Sequence, residues 1–319
     1  MAVLIFAESD SGFYKKSTFE AISYGRKLAD QLGTTCIAIS IGNKGTENLG
    51  SFGAHQEVLY VNELYQTFNP QSYAKAISQT AQQLDCNVII ISQTYTGKSI
   101  APLLAIKQNA SIATGVIGMA NTIDGFTVKT TAFSNKAIAH VKLNQEQKIL
   151  TIIPNSYQIN TYSETSEIIN LEDAIAASDI NSTVLSTHKE TGKIPLTEAE
   201  LVISGGRGLK GTENWNLVED LASALGAATA CSKPVSDMEW RPHSEHVGQT
   251  GITIKPNLYI AAGISGAIQH LAGVSGSKVI CVINTDPEAP FFKAADYGIV
   301  GDALEVLPRL TRRILEIKK

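Results

Sequence analysis

In the last third of this 319-residue chain the glycines gather where a backbone could approach a ligand. Gly205-Gly206-Arg207-Gly208, Gly248-Gln249-Thr250-Gly251, Gly263-Ile264-Ser265-Gly266 and the pair Gly298 and Gly301 cluster after strand candidates. In an open parallel sheet, ligands bind beyond the carboxyl ends of the strands, and a helix that follows favours negative charge at its N-terminus. Gly206-Arg207-Gly208-Leu209-Lys210-Gly211 has the G-x-G-x-x-G spacing, which serves equally as a tight turn or as a phosphate cradle. The acidic residue expected near the end of the next strand is not clearly present, so a nicotinamide fingerprint is not expected.

Single residues near these loops each carry two readings. Gly263-Ile264-Ser265-Gly266-Ala267 approaches the G-x-S-x-G nucleophile elbow, but Ala267 stands where that motif needs glycine. Ser265 caps the following helix or faces a phosphate. His270 is a satisfied core histidine or a donor lining the site. Cys231, His243 and His246 lack a C-x-x-C partner and an acid at helical spacing, so no metal site is expected. Lys233, in a loop with Asp237, is solvated or is a cation over an electron-rich ring. Asp302 accepts from ribose hydroxyls or caps the last helix.

These residues need a scaffold, and the pattern supplies one. Apolar β-branched runs at 3–7, 36–41, 58–61 and 88–92 predict strands. They alternate with a helix capped by Ser17 and ended by Gly33, one starting near Pro70, and one with Pro102 early in it. Segments 126–133, 136–141 and 148–153 are close-spaced strand candidates, as in antiparallel hairpins on a sheet edge. Residues 161–199 read as a polar linker, with one paired strand at most. Strand candidates at 201–204, 258–262, 278–284 and 297–300, with helices at 213–225, 266–272 and 303–317, complete a second alternating series. The fold expected is α/β with two domains. Residues 1–190 form a mostly parallel sheet with an antiparallel edge, and 191–319 form a doubly wound parallel sheet.

Composition narrows the function. Lys and Arg number 26 against 30 Asp and Glu, and charged residues make up only 18%. This slight acidity gives no footprint for nucleic acid, and no apolar run approaches the length that spans a bilayer. Four scattered cysteines read as reduced thiols of a cytoplasmic protein.

Taken in order, the second half resembles the alpha subunit of electron-transfer flavoproteins. The match runs through Ser204-Gly205-Gly206-Arg207-Gly208 with Glu213-Asn214, and Val247-Gly248-Gln249-Thr250-Gly251. It continues from Leu258-Tyr259-Ile260-Ala261-Ala262 through Gly263-Ile264-Ser265-Gly266-Ala267-Ile268-Gln269-His270-Leu271-Ala272-Gly273. It closes on Ile283-Asn284-Thr285-Asp286-Pro287 and Ala295-Asp296-Tyr297-Gly298-Ile299-Val300-Gly301-Asp302.

The resemblance implies FAD bound in the C-terminal domain and a beta subunit that completes the site. Arg207 with Ser265, Gly266, Ala267, Ile268, Gln269 and His270 would hold the pyrophosphate and nearby flavin atoms, His270 reaching the O2 carbonyl. Ser232 and Thr250 would lie near flavin N5, and Gln249 beside the ring. Asn284 and Asp302 would hold the adenosine part, with Val247, Gly248 and Ala303 completing the set. Lys233 stands where the family commonly has arginine, which keeps the charge and loses the planar fork. No general base or nucleophile is required. The resemblance further implies electrons taken from acyl-CoA and related dehydrogenases and passed to a membrane quinone oxidoreductase, with the first half as partner surface. The alternatives are a nucleotide-dependent dehydrogenase using Arg207 and Lys233, a bifurcating flavoprotein subunit, or a nucleotide-binding regulatory module whose glycines only make turns.

Overall fold

A computed structural model describes residues 1–133, 135–172, 175–176, 180–182, 184–187 and 194–318. The chain divides into two compact units. The boundary expected near 190 falls outside the described residues.

The first unit opens with β1 (Ala2–Phe6), the short antiparallel ribbon β2 (Ser9–Asp10) and β3 (Phe13–Tyr14), α1 (Lys16–Leu32) and β4 (Thr35–Ile41). Next come β5 (Gln56–Tyr60), α2 (Pro70–Gln83), β6 (Cys86–Ser92), α3 (Tyr95–Lys107) and β7 (Ser111–Val116). It closes with β8 (Phe126–Ala132), β9 (Ala137–Leu143), β10 (Lys148–Ile152) and β11 (Glu167–Ile169). These build a nine-stranded sheet in the order β11-β5-β4-β1-β6-β10-β7-β8-β9. Its inner strands β1, β4 and β6 are buried on both sides because helices cover both faces. Val3, Ile5 and Ile90 pack with Ile22 and Leu28 of α1, while Leu4, Ile39 and Ile89 meet Ala74 and Ile77 of α2 and Leu104 of α3.

Three expectations for this unit are corrected. The 148–153 segment is no hairpin arm: β10 is inserted between β6 and β7 and parallel to both, while β8 pairs antiparallel to β7 and β9 lies beside β8 at the edge. Ser17 is not the N-cap of α1. Lys15 holds that place, and Ser17 is buried in the first turn, its carbonyl accepting from Ser92 Oγ at 2.8 Å. Pro102 lies in mid-helix, because Thr94 accepts from the Gly97 N–H and starts α3 well before it. Gly33 ends α1 in the left-handed conformation, as its position after Leu32 requires.

The second unit comprises β12 (Leu201–Gly205), α4 (Asn216–Leu225), β13 (Ala228–Cys231), α5 (Lys233–Asp237) and β14 (Leu258–Ala262). It ends with α6 (Ile268–Val274), β15 (Val279–Asn284), β16 (Tyr297–Val300) and α7 (Ala303–Ile317). All five strands pair in parallel, in the order β13-β12-β14-β15-β16. The chain therefore moves outward from β12 to β13 and then returns to the other side, so the strand order reverses between β12 and β14. A crevice beyond the carboxyl ends of those two strands is the expected ligand site of such a sheet. Trp215, Leu221, Ala303 and Leu307 cover one face, and Val274, Tyr259 and Phe291 share the core on the other. Among the described residues no helix is long and apolar enough to cross a membrane.

Candidate functional site

The β12 and β14 exit loops are built against each other. Gly206 N–H donates to the Ala262 carbonyl at 2.8 Å, and Gly208 N–H to that of Gly263 at 3.0 Å. A Cβ on Gly208 would stand 2.7 Å from Gly263 Cα, and one on Gly263, whose φ is +64°, would stand 2.9 Å from Gly208 Cα. Neither position accepts a side chain. The first two glycines of G-x-G-x-x-G thus join two loops and have already used their amides, so the turn reading prevails for them. Arg207, held between them, lines a cavity of about 660 Å³, a size typical of small-molecule and cofactor sites.

That cavity gathers residues from five separate stretches of sequence. Its wall is made by Arg207, Ser232, Lys233, Val247, Gly248, Gln249, Thr250, Ser265, Ala267, Gln269, His270 and Asn284, all of them expected site residues. Gly208, Pro234, His246, Gly263 and Ile264 line it as well. Of these, His246 had been weighed only as a metal ligand, and its residue type carried no signal of where the loop would place it.

Four expected residues do not form the wall. Gly266 is turned against Phe291 in a left-handed conformation at φ +84°, and Ile268 is 59% exposed. Asp302 caps α7 instead, its Oδ1 accepting from Leu304 N–H at 3.0 Å and its Oδ2 from Lys210 Nζ at 2.8 Å. The Lys210 bond, followed by the Leu304 amide, lowers the Asp302 carboxyl from its usual range. Ala303 begins α7 and is buried against the sheet.

The helix after β14 starts later than its sequence suggests, at Ile268, because the Phe291 N–H binds the Ser265 carbonyl and keeps that segment extended. Ser265 is accordingly not the N-cap. Ala267 occupies that position, and no side chain caps the helix. Its opening amides are the kind of donor an anion can satisfy.

Across the cavity, Lys233 sits on the single turn of α5 rather than in a loop, 3.5 Å from Asp237. Ser232 N–H binds the Gly205 carbonyl at 3.1 Å, which ties the start of α5 to the end of β12. The loop beyond is anchored by Arg241, which binds Glu245 through two nitrogens at 2.7 and 2.8 Å, reaches Glu219 on α4, and lies over the Trp215 ring. That clamp delivers His246, Val247 and the 248–251 turn to the cavity. The turn is secured to α6 where Gln249 N–H meets the Gln269 carbonyl at 2.7 Å.

Electrostatically the wall is cationic and donor-rich above a neutral floor. Nε2 of His270 is 2.8 Å from the Tyr259 hydroxyl, which is fully buried in mid-sheet. Burial, and then His246, push the His270 imidazole down to about 4, against an opposing backbone contact at Val247. His246 is lowered in turn by burial, His243 and Lys233. Burial, with Glu245 adding to it, pushes the Cys231 thiol up to about 12. Arg207 and Lys233 at the wall, hydroxyls at Ser232, Thr250 and Ser265, and apolar Val247 and Ile264 together suit a ligand carrying phosphate at one end and a polar-edged ring at the other. No side chain is poised as nucleophile and base together.

Comparison with known proteins agrees with that chemistry. A family model described as the electron transfer flavoprotein FAD-binding domain matches residues 195–275, and one described as the electron transfer flavoprotein domain matches residues 3–176. The chain is 37% identical to an electron transfer flavoprotein subunit alpha of Thermoanaerobacterium thermosaccharolyticum, covering 99% of this chain and 98% of that protein. It is 33% identical to the Bacillus subtilis protein of the same name, with 99% and 98% covered. It is also 32% identical to Protein FixB of Clostridium saccharobutylicum, with 99% and 96% covered.

Proposed function

The chain belongs to the electron transfer flavoprotein family, as an alpha subunit, and on that premise we propose that it carries electrons from acyl-CoA and related dehydrogenases to a membrane-bound quinone oxidoreductase. Its cofactor is FAD, and the family pairs such a subunit with a beta subunit. In this reading the two form a cytoplasmic heterodimer, residues 191–319 hold the cofactor, and residues 1–190 face the partner. The observation that carries it is the convergence of twelve expected site residues on one cavity at the strand-order reversal of the second sheet.

The residues present fit FAD. Nδ1 of His246 and of His270 is buried without a hydrogen-bond partner in the protein, beside a cavity that both rings line. FAD supplies the one-electron chemistry when bound. Arg207 and the uncapped start of α6 would offset pyrophosphate charge. Ser232 and Thr250 offer hydroxyls, and Asn284 the polar edge, toward ring and adenosine. Val247, Pro234 and Ile264 would exclude water, which strengthens each of these interactions. Lys233 would offer a compact charge to the ring. Asp302 would hold the adenosine part only after release from Lys210.

Coexpression with a beta subunit, followed by mass measurement and a visible absorption spectrum, tests this reading. The expected product is a yellow heterodimer that oxidises no acyl-CoA unless a dehydrogenase is added. A colourless complex, or turnover by the complex alone, would refute the carrier. The flavin-to-protein ratio of the same sample separates simple transfer from bifurcation.

A further inference from the structure

His246 lines the cavity beside His270 and has no role in the reading above. The residue is 2% exposed, and its Nδ1 has no hydrogen-bond partner. Its backbone is fixed on both sides: the N–H binds the His243 carbonyl at 3.1 Å, the carbonyl accepts from Ile252 N–H at 2.8 Å, and the residue bridges in parallel to Cys231. The imidazole packs against the 248–251 turn. Its Nε2 lies 3.3 Å from the place a Cβ on Gly248 would take, and its Nδ1 2.7 Å from that of Gly251. The two glycines of Gly248-Gln249-Thr250-Gly251 therefore make room for this ring.

The charged and titratable groups around it are few. Lys233 and Asp237 face it from α5, His243 from its own loop and His270 from α6, while Cys231 of β13 is bridged to it through the backbone. Lys233 and Asp237 hold each other at 3.5 Å, and Glu245 is directed into Arg241. Resting on the flavoprotein reading, we propose that His246 takes up a proton when a bound flavin is reduced, coupling the arrival of an electron in this cavity to protonation of the protein.

Burial beside cationic neighbours keeps this imidazole neutral while the cavity holds no net negative ring. Reduction adds negative charge within reach of it, and an opposite charge nearby favours the protonated form. His270 is the poorer acceptor, since its Nε2 already meets Tyr259 at 2.8 Å. In the step itself one electron passes from the donor to the flavin. One proton passes from water to the unprotonated ring nitrogen of His246, and no bond between heavy atoms is made or broken.

The test uses the flavin-loaded heterodimer, reduced stepwise with dithionite. The first-electron potential of the wild type should fall as pH rises from about 5.5 to about 8, the range in which imidazoles titrate. A pH indicator in unbuffered solution should report about one proton per electron, with the visible spectrum showing an unprotonated flavin anion. His246→Gln should flatten the pH dependence and abolish the uptake. A variant with the wild-type slope and uptake overturns the proposal, as does a wild type whose spectrum places the proton on the flavin. If the variant holds no flavin, the wild-type indicator measurement decides: an anionic flavin formed with no proton taken up overturns it. A colourless wild type overturns the flavoprotein reading itself, whereas a yellow, pH-independent one overturns only the role of His246.

Discussion

Tyr259 and His270 make a buried pair whose partners are chemically unequal: burial drives the phenol up, so it stays protonated, and drives the imidazole down to about 4, so it stays neutral. Tyr259→Phe removes one half and leaves His270 Nε2 without its partner, which should cost about 1–3 kcal/mol of stability. Because His270 resists protonation in the folded chain and not in the unfolded one, acid works against the fold. Its contribution is full above the ordinary histidine value of 6.5 and declines as pH falls from there toward about 4. Both tryptophans, Trp215 and Trp240, lie in the second unit, so urea unfolding followed by tryptophan fluorescence reads its stability directly. Stability should drop between neutral pH and about pH 5, and His270→Gln should reduce that drop. Lys233 is 3.5 Å from Asp237 and presents a point charge where a planar fork would stack. Lys233→Arg should therefore shift the flavin midpoint potential, and a spectroelectrochemical titration that finds it unchanged would remove the lysine from the list of tuning groups.

At the scale of elements, the two exit loops act as one. Gly208→Ala and Gly263→Ala each force a Cβ into the opposite backbone, and Gly263 also needs its positive φ. Each should lower stability by about 1–3 kcal/mol and raise the flavin dissociation constant, measured by fluorescence of released FAD. The sequence showed these glycines gathered at strand ends but not their use, because one motif serves for loop-to-loop contact and for phosphate binding. Some elements were legible to the residue: β14, β16 and α7 occupy the ranges their sequences predict. β13 was not, since Ala228-Thr229-Ala230-Cys231 is short and of small residues, and its strand state is imposed by β12 beside it. The parallel place of β10 was hidden for a related reason. Close spacing suggests a hairpin, and only pairing with β6 and β7 shows the insertion. Within the site, twelve of the residues named through the family resemblance line the cavity. Asp302 caps α7 in this structure, and a carboxylate that caps a helix and one that binds ribose look alike in sequence.

For the whole molecule, the proposed division of labour has a direct readout. When the heterodimer forms, new protection from hydrogen exchange should concentrate in residues 1–190; protection confined to 191–319 would contradict a partner-facing first half. The two sheets also share a design: each is mostly parallel, covered on both faces, and reversed in strand order about its first strand. The glycine loops that line the cavity belong to the second. A further consequence attaches to Cys231, the last residue of β13, which directly precedes cavity-lining Ser232. Reduced flavin exposed to oxygen yields hydrogen peroxide, and peroxide attacks thiolates rather than thiols. Fully buried and protonated throughout the physiological range, Cys231 offers that by-product nothing to oxidise. A carrier that meets air between its donor and its acceptor thus keeps this sulfur beside the cavity out of the damage it can generate.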